Sequence, residues 1–124
     1  MIINDLIGKP FKNGGRGPGE YDCYGLCREV YHRLGIELPQ YVIDCYNIPE
    51  INGAFNQSKV IRVDKPEQYC IMAIRNNSHV VNHFAIYLGN HEFIHALPNI
   101  GVCQASIDDL RWKRAIVGYY RWMG

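Results

Sequence analysis

The chain has no hydrophobic run near the roughly 20 residues that a helix needs to cross a bilayer, no internal repeat and no low-complexity segment. Its opening, Met-Ile-Ile-Asn-Asp-Leu-Ile-Gly-Lys-Pro, lacks a basic segment leading into an apolar stretch, so neither a Sec signal peptide nor membrane insertion is expected. An excess of one charge is missing too. Thirteen Lys and Arg against twelve Asp and Glu leave a net charge of +1, which gives no electrostatic case for nucleic acid. The short group Arg111, Lys113 and Arg114, interrupted by Trp112, reads as solvated surface. The glycine-rich stretch 11–20 lacks the spacing and the Gly-Lys-Ser/Thr ending of a phosphate loop, which argues against a nucleotide site. Five cysteines, an odd number without a secretion signal, point to free thiols and a reducing compartment. Synthesis in a cytosol is the expected localisation, with any exit by a route other than Sec.

What is present is an ordinary globular composition, 48% hydrophobic and 20% charged over 124 residues. That suits a single domain, residues 1–124, able to bury a core without metal or disulfide staples. The most informative stretch runs from Asp22 to Gly35. Cys23, Leu26, Cys27, Val30, Tyr31 and Leu34 recur at helical spacing, while Arg28, Glu29, His32 and Arg33 take the other face; this predicts an amphipathic helix at about 22–34. Asp22 is placed to cap its first turn and Gly35 to stop it in a left-handed conformation. Cys23 then falls in the first turn, where unpaired N–H groups and the helix dipole favour a thiolate.

Downstream the pattern turns to β. Short strands are expected at 60–63, 69–74, 82–88, 91–96, 102–105 and 115–122, with Ser106 to Asp109 capping a helical turn. Residues 40–59 are the least readable part and are compatible with a short helix from about Asp44. One helix followed by a meander of strands gives an α+β fold, N-terminal helices packed on a central antiparallel sheet.

The hairpin 82–96 carries His83 and His95. A two-residue turn at Gly89-Asn90 pairs Leu88 with His91 and sends the histidines to opposite faces. A three-residue turn through His91 pairs Ala85 with His95 and puts both histidines on one face, within mutual reach. In that register Cys23, His83 and His95 meet the needs of a nucleophilic cysteine: a base beside it, and a third polar group that fixes the base's tautomer. Zinc held by Cys23, Cys27 and the histidines is the competing chemistry. The closely paired ligands of zinc ribbons and fingers are lacking and the helix stripe already accounts for Cys27, so a zinc site is not expected.

These residues also carry a family likeness. Asp22-Cys23-x-Gly25-Leu26, then Val30-Tyr31 and Leu34-Gly35-Ile36-x-Leu38-Pro39, resembles the nucleophile helix of the NlpC-type papain-like cell-wall peptidases. His83 to Asn90 and Phe93 to Ala96 are similar to that family's histidine strand and hairpin, Pro10-Phe11-x-x-Gly14-Gly15 to its oxyanion loop, and Val117-Gly118 with Arg121 to its closing strand. The resemblance implies a papain-like fold with Cys23 as nucleophile, His83 as general base and His95 as the residue that orients it. Phe11, Asp22 and Tyr24 would line the oxyanion and substrate cleft. It further implies hydrolysis of amide bonds in peptidoglycan stem peptides, typically between D-γ-glutamyl and a diamino acid, without a cofactor. Phe11 stands where a tyrosine is frequent, Tyr24 where a small serine is usual, Pro66-Glu67-Gln68 where Pro-Gly-Asp is common, and Ala85 where glycine is. An aromatic after the cysteine, together with the Gly-Gly-Arg-Gly-Pro loop, resembles the family's phage-tail branch, which implies a virion-tail location and other phage tail proteins as partners. The alternative on the same fold is a structural tail or assembly protein with little activity.

Overall fold

The computed structural model describes residues 3–39 and 60–123. The helix expected from about Asp44 lies outside them. A single 3-10 turn, Asn4–Leu6, precedes helix α1, Cys23–Arg33. Among the described residues six strands follow: β1 (Val60–Val63), β2 (Ile71–Ile74), β3 (His83–Gly89), β4 (Glu92–Leu97), β5 (Gly101–Ser106) and β6 (Ile116–Trp122), with helix α2 (Leu110–Lys113) between the last two. They form one sheet in the order β1-β6-β2-β3-β4-β5, every described pairing antiparallel. The α+β architecture read from the sequence is therefore the one observed.

Helix α1 begins and ends where its residues dictate. The Asp22 side chain accepts the Gly25 N–H at 2.6 Å, and Gly35 sits at φ +82°, the left-handed stop. Cys23, Leu26, Cys27, Val30 and Tyr31 are buried against β3 and β4. The outer face is laced by Arg33, which bonds Glu29 one turn back and Asp5 at 2.7 Å. Strand β2 is buried along its whole length, as its continuous apolar run predicts. It starts two residues later than expected because Tyr69 adopts φ +67°, outside any strand conformation.

Strand alternation divides the core. Phe84, Ile86, Ile94 and Ala96 pack with the α1 stripe. Met72, Ile74, Ala85, Tyr87, Phe93 and Leu97 pack on the other face with Trp112 of α2.

The loop before α1 is held tightly to it. Pro10 and Lys12 bond the backbone of Tyr21, and Gly15 accepts the Asp22 N–H. A Cβ on Gly25 would lie 2.0 Å from the Gly15 carbonyl oxygen, so this helix position tolerates only glycine while the loop stays in place. Gly25→Ala is expected to lower stability by about 1–3 kcal/mol, read as a lower urea midpoint. An unchanged midpoint would show that the loop is not packed on the helix in this way.

Candidate active site

The two histidines of the hairpin meet. His83, the first residue of β3, and His95, within β4, are 4% and 1% exposed, and His83 Nε2 lies 3.0 Å from His95 Nδ1. The register is the one that shares a face, but it arises differently from either turn considered above. Ile86 pairs with Ile94 and Tyr87 with Phe93, then the ladder slips so that Gly89 pairs with Glu92. The tip is a two-residue turn at Asn90-His91, both left-handed at φ +54° and +65°, as a type I′ turn requires. Leu88 is the extra residue of a bulge in β3, next to Gly89 at φ +95°, and the bulge restores the odd offset. The His91 N–H, donating to the Tyr87 hydroxyl at 2.8 Å, ties the tip back to the strand.

Because the histidines belong to the odd-numbered face of β3 and β4, their neighbours are aromatic. The Trp112 ring lies edge-on to His95 at 4.8 Å and near-parallel to His83 at 6.3 Å, and Phe93 meets His95 edge-on at 4.8 Å. Burial, then the neighbouring His95 and the Arg111 charge, pull His83 down to about 3; burial and Arg111 pull His95 down to about 4. Both imidazoles are thus neutral near pH 7.

Cys23 opens α1 and is 4% exposed. The α1 stripe packs on the sheet face formed by Phe84, Ile86, Ile94 and Ala96, while His83 and His95 lie with Phe93 and Trp112. The Tyr31 hydroxyl donates to the Tyr69 carbonyl at 2.6 Å, and the Tyr69 N–H bonds the Tyr87 carbonyl, so the far end of α1 is anchored beside Tyr87.

The remaining predicted residues surround that helix start. Asp22, 1% exposed, accepts N–H groups from Gly25 and Gly14, the latter at 3.1 Å, and pairs with Arg16 at 2.7 Å. Its charge is spent on structure. The Tyr24 hydroxyl donates to the Pro39 carbonyl at 2.5 Å, and its ring lies 5.5 Å beneath the Arg16 guanidinium. Phe11, half-buried, bridges in parallel to Tyr21 and packs at the edge of the α1 cluster. Burial raises the Cys27, Cys70 and Cys103 thiols, which holds them in the unreactive form at neutral pH.

Two residues of this centre escape a sequence reading. Arg16 is one of several polar residues in a glycine-rich loop, with nothing to mark its pairing to Asp22. Trp112 had a signal, an aromatic inside a charged run, but its partners are 17 and 29 residues upstream.

Both histidine shifts are downward, so the unfolded chain binds protons that the folded chain refuses as pH falls below 6.5. The stabilisation is complete above that pH and is lost below it, by up to about 2.7 kcal/mol per pH unit while two protons are taken up. Urea midpoints measured from pH 7 to pH 4.5 should fall, and should fall less steeply in His83→Gln/His95→Gln. Equal slopes would contradict the buried neutral pair.

The profile of the NlpC/P60 family matches residues 8–121. The chain is 26% identical over 114 residues to the probable endopeptidase NlpC homolog of Haemophilus influenzae, covering 91% of this chain and 55% of that protein. It is 27% identical over 111 residues to the murein DD-endopeptidase MepS/murein LD-carboxypeptidase of Escherichia coli K12, covering 89% and 54%. The chain thus spans about half the length of these two curated relatives. A crystal structure of a lipoprotein-like NLP/P60 family protein from Staphylococcus aureus Mu50 superposes with a TM-score of 0.69 at 24% identity, over 96% of this chain and 38% of that one; the papain-like fold of the family is shared.

Proposed function

This chain belongs to the NlpC/P60 family, and on that premise we propose that it is a cysteine hydrolase of peptidoglycan peptides. The observation that carries the reading is the bond between His83 Nε2 and His95 Nδ1. It leaves His83 Nδ1 as the ring nitrogen for the thiol. For Nδ1 to accept a proton, His83 must be the Nε2–H tautomer, donating to His95 Nδ1, and His95 then carries its own hydrogen on Nε2. Trp112 excludes water from this bond.

In the reaction we assign, His83 takes the Cys23 proton as Sγ attacks the amide carbonyl carbon. The oxyanion is met by the Cys23 backbone N–H. Collapse breaks the C–N bond, His83 delivers its proton to the departing amine, and water then hydrolyses the thioester with His83 again as base. Phe11 offers no hydroxyl at the oxyanion, so the backbone donor and the helix start carry that charge.

The relatives' names support a wall substrate, since the Escherichia coli protein is a murein endopeptidase and carboxypeptidase by name. Cleavage between D-γ-glutamyl and a diamino acid, delivery with a phage tail and contacts with other tail proteins complete the proposal. The tail-branch likeness rests on Tyr24 and on the Gly-Gly-Arg-Gly-Pro loop, and Arg16 of that loop packs over the Tyr24 ring at the helix start. The contrasting role, a structural tail protein, has no comparable observation behind it.

Incubation with purified muropeptides tests the reading. Wild type should release product, Cys23→Ala none, and His83→Ala about 10²–10⁴-fold less. Equal product from wild type and Cys23→Ala would end the nucleophile assignment.

A further inference from the structure

The loop after β2 and the residues around α2 enclose a shallow cleft of about 370 Å³, lined by Arg75, Asn77, Ser78, Arg111, Arg114 and Ala115. Three arginines line it and no acidic residue does. The ion pairs of the described residues engage Lys12, Arg16, Arg33 and Arg121 among the lysines and arginines, and none of these three. In a chain of net charge +1, this gathers positive charge against its own repulsion. Converging arginines without a counter-charge are suited to an oxyanion, which the planar forks grip through paired hydrogen bonds.

The walls are held in place. The Arg111 guanidinium stacks 4.4 Å from the Trp112 ring, and the Arg111 N–H donates to the Asp109 carboxylate at 2.9 Å. The Arg75 N–H bonds the Ala115 carbonyl at 2.9 Å, joining the two sides. Asn76 and Asn82 exchange hydrogen bonds of 2.7 and 2.9 Å across the base of the loop.

The cleft also adjoins the histidine pair. Arg75 follows Ile74, which pairs with His83 across the β2–β3 ladder. Arg111 precedes Trp112, the residue packed on both imidazoles.

We propose that this cleft is an anion subsite of the same centre and takes a carboxylate of the peptide whose amide bond Cys23 attacks. The proposal rests on the hydrolase reading above and names the substrate group recognised beyond the reacting bond. A phosphodiester from a wall glycopolymer offers the same oxyanion chemistry, and the test separates the two.

Binding is measured by calorimetry on Cys23→Ala, with and without the further changes Arg75→Ala and Arg114→Ala. The probes are a muropeptide with free carboxylates, the same muropeptide with its carboxylates amidated, and inorganic phosphate. The free-carboxylate peptide should bind about tenfold more tightly than the amidated one, and the arginine changes should erase that difference. In turnover by the Cys23 protein, the same arginine changes should raise KM for the free-carboxylate peptide and leave KM for the amidated peptide unchanged. Equal binding of both peptides, or a preference that survives the arginine changes, overturns the subsite. Arginine-dependent phosphate binding without discrimination between the peptides overturns the carboxylate in favour of a phosphodiester. Turnover that persists in Cys23→Ala would instead overturn the hydrolase reading itself, so the two failures are distinguishable.

Discussion

The structure turns on one buried carboxylate. Asp22 accepts the Gly25 N–H inside the helix and the Gly14 N–H outside it, and it holds the Arg16 guanidinium. One side chain therefore caps α1, fixes the glycine-rich loop against it, and sets where Cys23 begins. Removing Arg16 would take from the buried Asp22 carboxylate its counter-charge, so loop and helix start are coupled. Gly25 reinforces the arrangement by letting the Gly15 carbonyl approach closer than any side chain would permit.

The second constraint is the sheet. Its two faces separate tasks that a reading of one face would merge. One receives the helix stripe; the other buries the histidines among Phe93 and Trp112. Cys23 comes from the helix layer, and the two histidines come from the sheet. Burial keeps both imidazoles neutral, the form that can accept a proton, and at the same time weakens their basicity.

Much of this was legible from residues alone, for reasons of range. The α1 helix is specified locally by a cap at Asp22, an apolar stripe and a stop at Gly35, and its observed limits lie within a residue of the expected ones. The strands follow alternation and apolar runs in the same way. The histidine register was not legible, because it depends on left-handed backbone at Asn90 and His91 and on a bulge at Leu88, choices that a turn sequence of Gly, Asn and His leaves open. Arg111 and Arg114 are exposed, as their short charged run implies; their convergence with Arg75, 36 residues from Arg111 in the chain, is not legible there. Arg16 and Trp112 were missed on the same ground: their roles are set by partners that only the fold supplies.

The central claim is that the thiol at the start of α1 forms a covalent bond with the substrate. Acid-quenched mixtures of the protein and a muropeptide, digested and analysed by mass spectrometry, address it most directly. The account predicts an acyl adduct on the fragment containing Cys23, removed by hydroxylamine as a thioester is, with Cys27, Cys70 and Cys103 unmodified. Product formation with the adduct on another cysteine, or on none under conditions that trap a thioester, would contradict it.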